Sequence, residues 1–190
     1  MKILKWLAII IAVLVVLFVL IGFTLPKDYT VERSVVIKAE PAAVHTLVGE
    51  LKAWDQWTPW LEADPTIETT FGATTTGVGA RQSWTGESGS GQLTFTQCSP
   101  DTGVLYDMSF NDGKYVSIGA LDYKAADGGT EVTWRMAGEM GGNPISRYFG
   151  AMMDAMVGPM FEKGLNKLKT AAESLPPMEA ETAVEEEPAA

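Results

Sequence analysis

The spacing of hydrophobic and polar residues divides this chain into stretches of different period, and each period predicts an element. Trp6 to Leu25 reads WLAIIIAVLVVLFVLIGFTL, a run without a charge. Its length suits a helix crossing about 30 Å of hydrocarbon. Tyr29 to Lys38 (YTVERSVVIK) alternates Val31, Arg33, Val35 and Ile37 with Thr30, Glu32, Ser34 and Val36, which predicts a strand. Pro41 stands at the favoured first position of a helix, and Val44, Leu47, Val48 and Leu51 give that helix a core face. Pro59 breaks any helix across the tryptophan-rich stretch that follows.

From Thr66 to Glu139 the period is that of strands. TIETTF, GVGARQSWTG, GSGQLTFTQC, GVLYDMSF, KYVSIGALDYK and TEVTWRMAGE are separated by turn residues, among them Asn111-Asp112-Gly113 and Asp127-Gly128-Gly129. Such turns suit hairpins, so the six runs predict an antiparallel meander. From Pro144 to about Ser174 the period is helical again. Ile145, Tyr148, Phe149, Met152, Met153, Met156, Met160, Phe161, Leu165 and Leu168 recur at i, i+3 and i+4. Gly158-Pro159 predicts a kink there. The architecture expected is α+β: a seven-stranded curved antiparallel sheet, its apolar face buried against a long C-terminal helix, with a membrane helix in front. The boundaries expected are 1–25 for the anchor, 27–175 for the domain and 176–190 for an acidic, disordered tail.

Charge refines this picture. The chain has 190 residues and a formal net charge of −10. Lys2 and Lys5 precede the apolar run, five glutamates crowd the tail, and the domain between is acidic. That excludes a nucleic-acid binder, which needs clustered Lys and Arg. The exit from the apolar run, Gly22-Phe23-Thr24-Leu25-Pro26, carries no A-x-A pattern, so a permanent anchor is expected, with cleavage as the alternative. The two lysines keep the N-terminus in the cytoplasm and put the domain outside, on the periplasmic side in a bacterium.

Motifs for chemistry are few. One histidine and one cysteine leave no metal site and no internal disulfide. No P-loop, nucleophile elbow or dinucleotide fingerprint is present, so no cofactor is expected. His45 lacks a carboxylate on its helix face to orient it.

The order of elements and the stretches LPKDYTVERSVVIKAEPAAV, LKAWDQWTPW, GVGARQSWTG, TEVTWRMAGE and NPISRYFGAMMDAMVGPMFEKGLNKLK resemble the START-like, helix-grip superfamily (SRPBCC). Its small membrane-anchored bacterial members are described as polyketide cyclase/dehydrase-like or lipid-transport-like. The resemblance spans residues 25–169. It implies a hydrophobic cavity between sheet and long helix and implies no particular reaction.

Strand alternation then nominates the walls. Leu93, Phe95 and Gln97 share a face, as do Tyr106, Met108 and Phe110, and as do Val132, Trp134 and Met136. Gln82 accompanies Trp84. Gln82, Gln97 and the Tyr106 hydroxyl are the few polar groups expected inside. The candidate ligand-cavity residues are Trp57, Trp84, Phe95, Tyr106, Met108, Trp134, Met136, Phe149, Met152, Met153 and Met156; no residue is nominated as catalytic. Trp54, Trp57 and Trp60 read either as a ligand-stacking rim or as a staple between short helices and sheet. The leading functional expectation is a binder of a hydrophobic or amphipathic molecule (lipid, quinone or polyketide-like) close to the membrane. A cyclase or dehydratase using Tyr106, His45 or Arg135, and an envelope interaction module, remain the alternatives. The oligomeric state is open.

Overall fold

The computed structural model describes residues 2–176; the tail assigned to 176–190 lies, from 177 onward, outside them. Helix α1 (Lys2–Thr24) is long and apolar enough to cross a membrane. Strand β1 (Asp28–Ile37) follows after three residues. Helix α2 (Pro41–Val48), a single 3-10 turn (Leu51–Ala53), and two one-turn helices, α3 (Trp54–Trp57) and α4 (Trp60–Ala63), lead into the meander. Its strands are β2 (Glu68–Phe71), β3 (Arg81–Gly86), β4 (Gly89–Ser99), β5 (Gly103–Phe110), β6 (Tyr115–Ala126) and β7 (Gly129–Glu139), and helix α5 (Pro144–Glu173) closes the domain.

All seven strands form one antiparallel sheet in the order β1-β7-β6-β5-β4-β3-β2. The meander is the one expected; the seat of β1 beside β7 is a long-range pairing that periodicity does not reveal. The β5–β6 turn holds Asn111, Asp112 and Gly113 at φ of 49°, 57° and 82°, the positive region that Asn, Asp and Gly tolerate best.

Residues opposite one another in an antiparallel pair share a face. Register therefore sorts the sheet. Arg33, Trp134 and Leu121 are aligned, as are Tyr106 with Phe95 and Met108 with Leu93. This is the inner face, and α5 covers its β1–β7 side. Helix α5 runs in the same direction as β1. Arg33 binds Asp154 and Glu162, the Lys169 ammonium donates to the Val36 carbonyl, and the Lys38 amide donates to Glu173. The Arg33 guanidinium fits because Gly158 has no side chain: a Cβ there would overlap it. Arg33 had the alternation of a core residue, and its partners on α5 explain how a charge occupies that face.

Register also defines the two ends of the sheet. Asp28 pairs with Glu139, Gly138 with Ser117, Ser117 with Met108, Phe110 with Gly91, and Gly91 with Trp84. The start of β1, the end of β7, the β5–β6 turn and Trp84 thus lie at one end of the sheet. It is the end at which the chain leaves α1, the α1-side end.

Candidate functional site

The expected cavity walls divide into a closed part and an open part. The closed part is built on tryptophan. Trp54 and Trp57 on α3 are buried, and their indole N–H groups donate to the carbonyls of Val48 (2.8 Å) and Leu47 (3.1 Å). Those carbonyls belong to the last turn of α2, where the helix itself supplies them no N–H donor. Trp57 meets Trp134 at 5.2 Å, and Trp134 lies flat on Phe161 of α5, 4.1 Å apart and within 3° of parallel. Trp54 packs on Phe95 and Tyr106. The Trp134 indole donates to the Tyr106 hydroxyl at 2.9 Å. Trp57, Phe95, Tyr106, Trp134 and Met136 are thus core residues that fill one another's space. Burial holds the Tyr106 phenol well above its ordinary pKa, against the opposing pull of the Trp134 bond, so it stays protonated at neutral pH. The staple reading of the tryptophan run describes Trp54 and Trp57. Trp60 is half-buried against Trp134 and Phe161.

The open part is at the α1-side end. Trp84, Met108, Phe110, Phe71 and Gln82 all stand on the inner face and are only half-buried. Trp84 and Phe110 meet edge to face at 5.7 Å. Beside Met108 in the register, Ser117 is buried and its hydroxyl has no hydrogen-bond partner. Apolar rings, an unpaired hydroxyl and a primary amide on one face share the composition of a small-molecule pocket. On the outer face, an open trough of about 500 Å³ crosses β4 to β7, with Thr94, Asp107, Val116, Ile118 and Ala137 along it.

The structure departs from alternation at two places. A β-bulge between Phe95 and Gln97 puts an extra residue into β4. Beyond it the faces exchange: Gln97 is exposed on the outer side and Cys98 turns inward opposite Val104. Gln97 is therefore not an inner polar group. On α5, Phe149, Met152 and Met156 do not face the sheet; with Ile145 they are between 53% and 57% exposed. Of the four α5 methionines in that stripe, Met153 is the one that packs against the core, while Phe161, Leu165 and Leu168 further along are buried in it. The reason is that α5 bears on the sheet through Gly158, against Arg33 of β1, and Phe161, against Trp134 of β7, which turns the other stripe away.

The bulge creates a contact that the sequence did not announce. The Cys98 thiol lies 3.5 Å from His45 Nε2, and His45 Nδ1 is 3.3 Å from the Tyr123 hydroxyl. Burial lowers the His45 pKa, partly offset by Asp101, and raises those of Cys98 and Tyr123. All three groups are neutral near pH 7, and the sulfur is a thiol and not a thiolate. Arg135 sits on the outer face, paired with Asp122 at 2.6 Å. Among the described residues no cluster of three His, Cys, Asp or Glu side chains is placed to hold a metal ion.

Helix α5 begins against α1. Tyr148 stacks on Phe18 at 4.2 Å and its hydroxyl donates to the Phe18 carbonyl. Arg147 is buried and donates to the carbonyls of Phe23 (2.6 Å) and Leu25 (3.2 Å). Gly22 makes the approach possible, since a Cβ there would strike Pro144.

Solved structures with the same architecture include protein CV1439 from Chromobacterium violaceum, at a TM-score of 0.57 and 14% identity over 76% of this chain and 98% of that one. The protein Ara h 8.0201 aligns at 0.52 and 16% identity, over 78% of this chain and 99% of that one. The di-domain ARO/CYC protein BexL, of the BE-7585A biosynthetic pathway, aligns at 0.55 and 14% identity over 79% of this chain and 52% of that one. At these identities the likeness is one of fold. A search of curated proteins found no match. The model of the family described as polyketide cyclase / dehydrase and lipid transport matches residues 28–173, which takes in the whole sheet and α5, and the chain belongs to that family.

Proposed function

We propose that this chain is a single-pass membrane protein whose domain binds a hydrophobic or amphipathic small molecule on the inner face of the sheet, at its α1-side end. The observation that carries this reading is the half-buried group Phe71, Trp84, Met108 and Phe110, with the unpaired Ser117 hydroxyl beside it. The rest of the inner face is filled by its own side chains, so a ligand has this end to occupy. Trp84 and Phe110 offer ring faces to an acyl, isoprenoid or polycyclic ligand. Gln82 and Ser117 offer it a polar anchor. The mouth is at the end of the sheet where the chain leaves α1, so a molecule dissolved in the bilayer has a short path to it. Lys2 and Lys5 favour a cytoplasmic N-terminus and a domain on the far side.

The test is native mass spectrometry of the full chain in lipid nanodiscs, with tryptophan fluorescence titrations against a panel of lipids and quinones. A reproducible bound mass, and a fluorescence response lost in Trp84→Phe, is the expected result. A protein that carries nothing and whose fluorescence ignores the panel overturns the reading.

A second reading, an enzyme of the cyclase or dehydratase kind, draws on the contact of His45 with Cys98 and Tyr123. A general base must reach its substrate's proton. Here both ring nitrogens already face protein groups, which is why binding is preferred.

A further inference from the structure

The first half of α5 has an apolar side that no part of the domain covers. Ile145, Phe149, Met152 and Met156 recur at i, i+4, i+7 and i+11 and form one stripe, more than half exposed along its length. Ala151 and Ala155 flank it and are exposed too. From Ile145 to Phe161 the chain has two charged residues. Arg147 is buried on α1, and the Asp154 carboxylate is engaged by Arg33, which holds it below the usual carboxylate range. Charge returns at Glu162 and Lys163, where the inward-facing side of the helix becomes core. An exposed apolar face of this length marks an interaction site.

What covers it follows from the junction with α1. Tyr148 is bound to Phe18, seven residues before the end of the apolar run at Leu25. At 1.5 Å per residue that is about 10 Å inside the end of the run. Amphipathic helices that lie on membranes bury their apolar faces by about 5–10 Å. The start of α5 is thus at the depth of an interfacial helix, and its stripe points away from the sheet. We infer that the first half of α5, Ile145 to Met156, lies in the outer boundary of the bilayer beside α1, with lipid acyl chains covering Ile145, Phe149, Met152 and Met156. This rests on the reading of α1 as a membrane span. The attachment is apolar and insensitive to lipid charge, as an acidic domain requires.

Nitroxide labels test it in the full chain, in phosphatidylcholine vesicles, on a Cys98→Ser background. Met152→Cys and Met156→Cys probe the stripe; Val13→Cys probes the span; Asn166→Cys probes the second half of α5. The expected result is that labels at 13, 152 and 156 collide with oxygen several-fold more than with a water-soluble nickel chelate, while the label at 166 does the reverse. If 13 is in lipid and 152 and 156 behave like 166, the docking is overturned and the span stands. If 13 also meets the chelate, the span reading fails and the docking with it. Spin–spin broadening at 152 would assign the stripe to a second copy of the chain and overturn the lipid assignment.

Discussion

The two halves of α5 share one helical period and meet opposite surroundings. In the second half, Phe161, Leu165, Leu168 and Ala172 are buried against the sheet and the tryptophan core. In the first, Ile145, Phe149, Met152 and Met156 carry the same spacing and face outward. A 3.6-residue period shows that a helix has an apolar side; it does not show what that side meets. Neighbouring charges carry the missing information. The second half alternates its buried residues with Glu162, Lys163, Lys167 and Lys169, and the first has almost none to alternate with. A helix without a charged side to turn toward water has a second apolar environment to satisfy.

The sharpest way to break the contrast is to remove the anchor of the buried half. Trp134→Ala deletes the ring stacked on Phe161 and the donor to Tyr106, and we expect a loss of about 3–5 kcal/mol in urea unfolding followed in mild detergent. Arg147→Met acts at the start of the outward half, where α5 meets α1. It leaves the carbonyls of Phe23 and Leu25 without their donor, at a cost of about 1–3 kcal/mol, read as faster amide hydrogen exchange at the end of α1. Met156→Ala is the matching change in the outward half, expected to alter the same unfolding midpoint by no more than about 0.5 kcal/mol. A loss comparable to that of Trp134→Ala would show that the stripe packs on protein.

The smallest effect concerns pH. His45 is the only histidine, and burial lowers its folded pKa below the ordinary 6.5. The unfolded chain therefore takes up the proton first. The stabilising contribution is complete above pH 6.5 and declines as pH falls from there toward the lowered folded value. Urea midpoints should drop between pH 7.5 and 5.5, and His45→Gln should flatten that slope. A slope unchanged in the variant would remove His45 from the account.

Much of this architecture was legible because the strands are half-buried and their alternation is regular: the inner placement of Trp84, Phe95, Tyr106, Met108, Trp134 and Met136 follows from it. Gln97 was misassigned because one extra residue at the bulge reverses every later face of β4. The same reversal brings Cys98 to His45, across 53 positions of chain, a separation over which local patterns say nothing. Arg33 was legible as a core-face position but not as the partner of Asp154 and Glu162, since a salt bridge between strand and helix leaves no periodic trace. Whether the inner face is filled or hollow depended on ring-to-ring packing, which composition does not encode: the same tryptophans line a cavity or close one.

The clasp between α1 and α5 also sets an order of events during synthesis. Arg147 and Tyr148 meet partners 124 and 130 positions earlier in the chain. At 5–20 residues per second, a ribosome needs roughly 6–25 s to travel that far. For that interval α1 is already made while the helix that grips it does not yet exist. The emerging strands grow behind a helix that its partner does not yet hold, and the two are joined only when the last helix returns to the first.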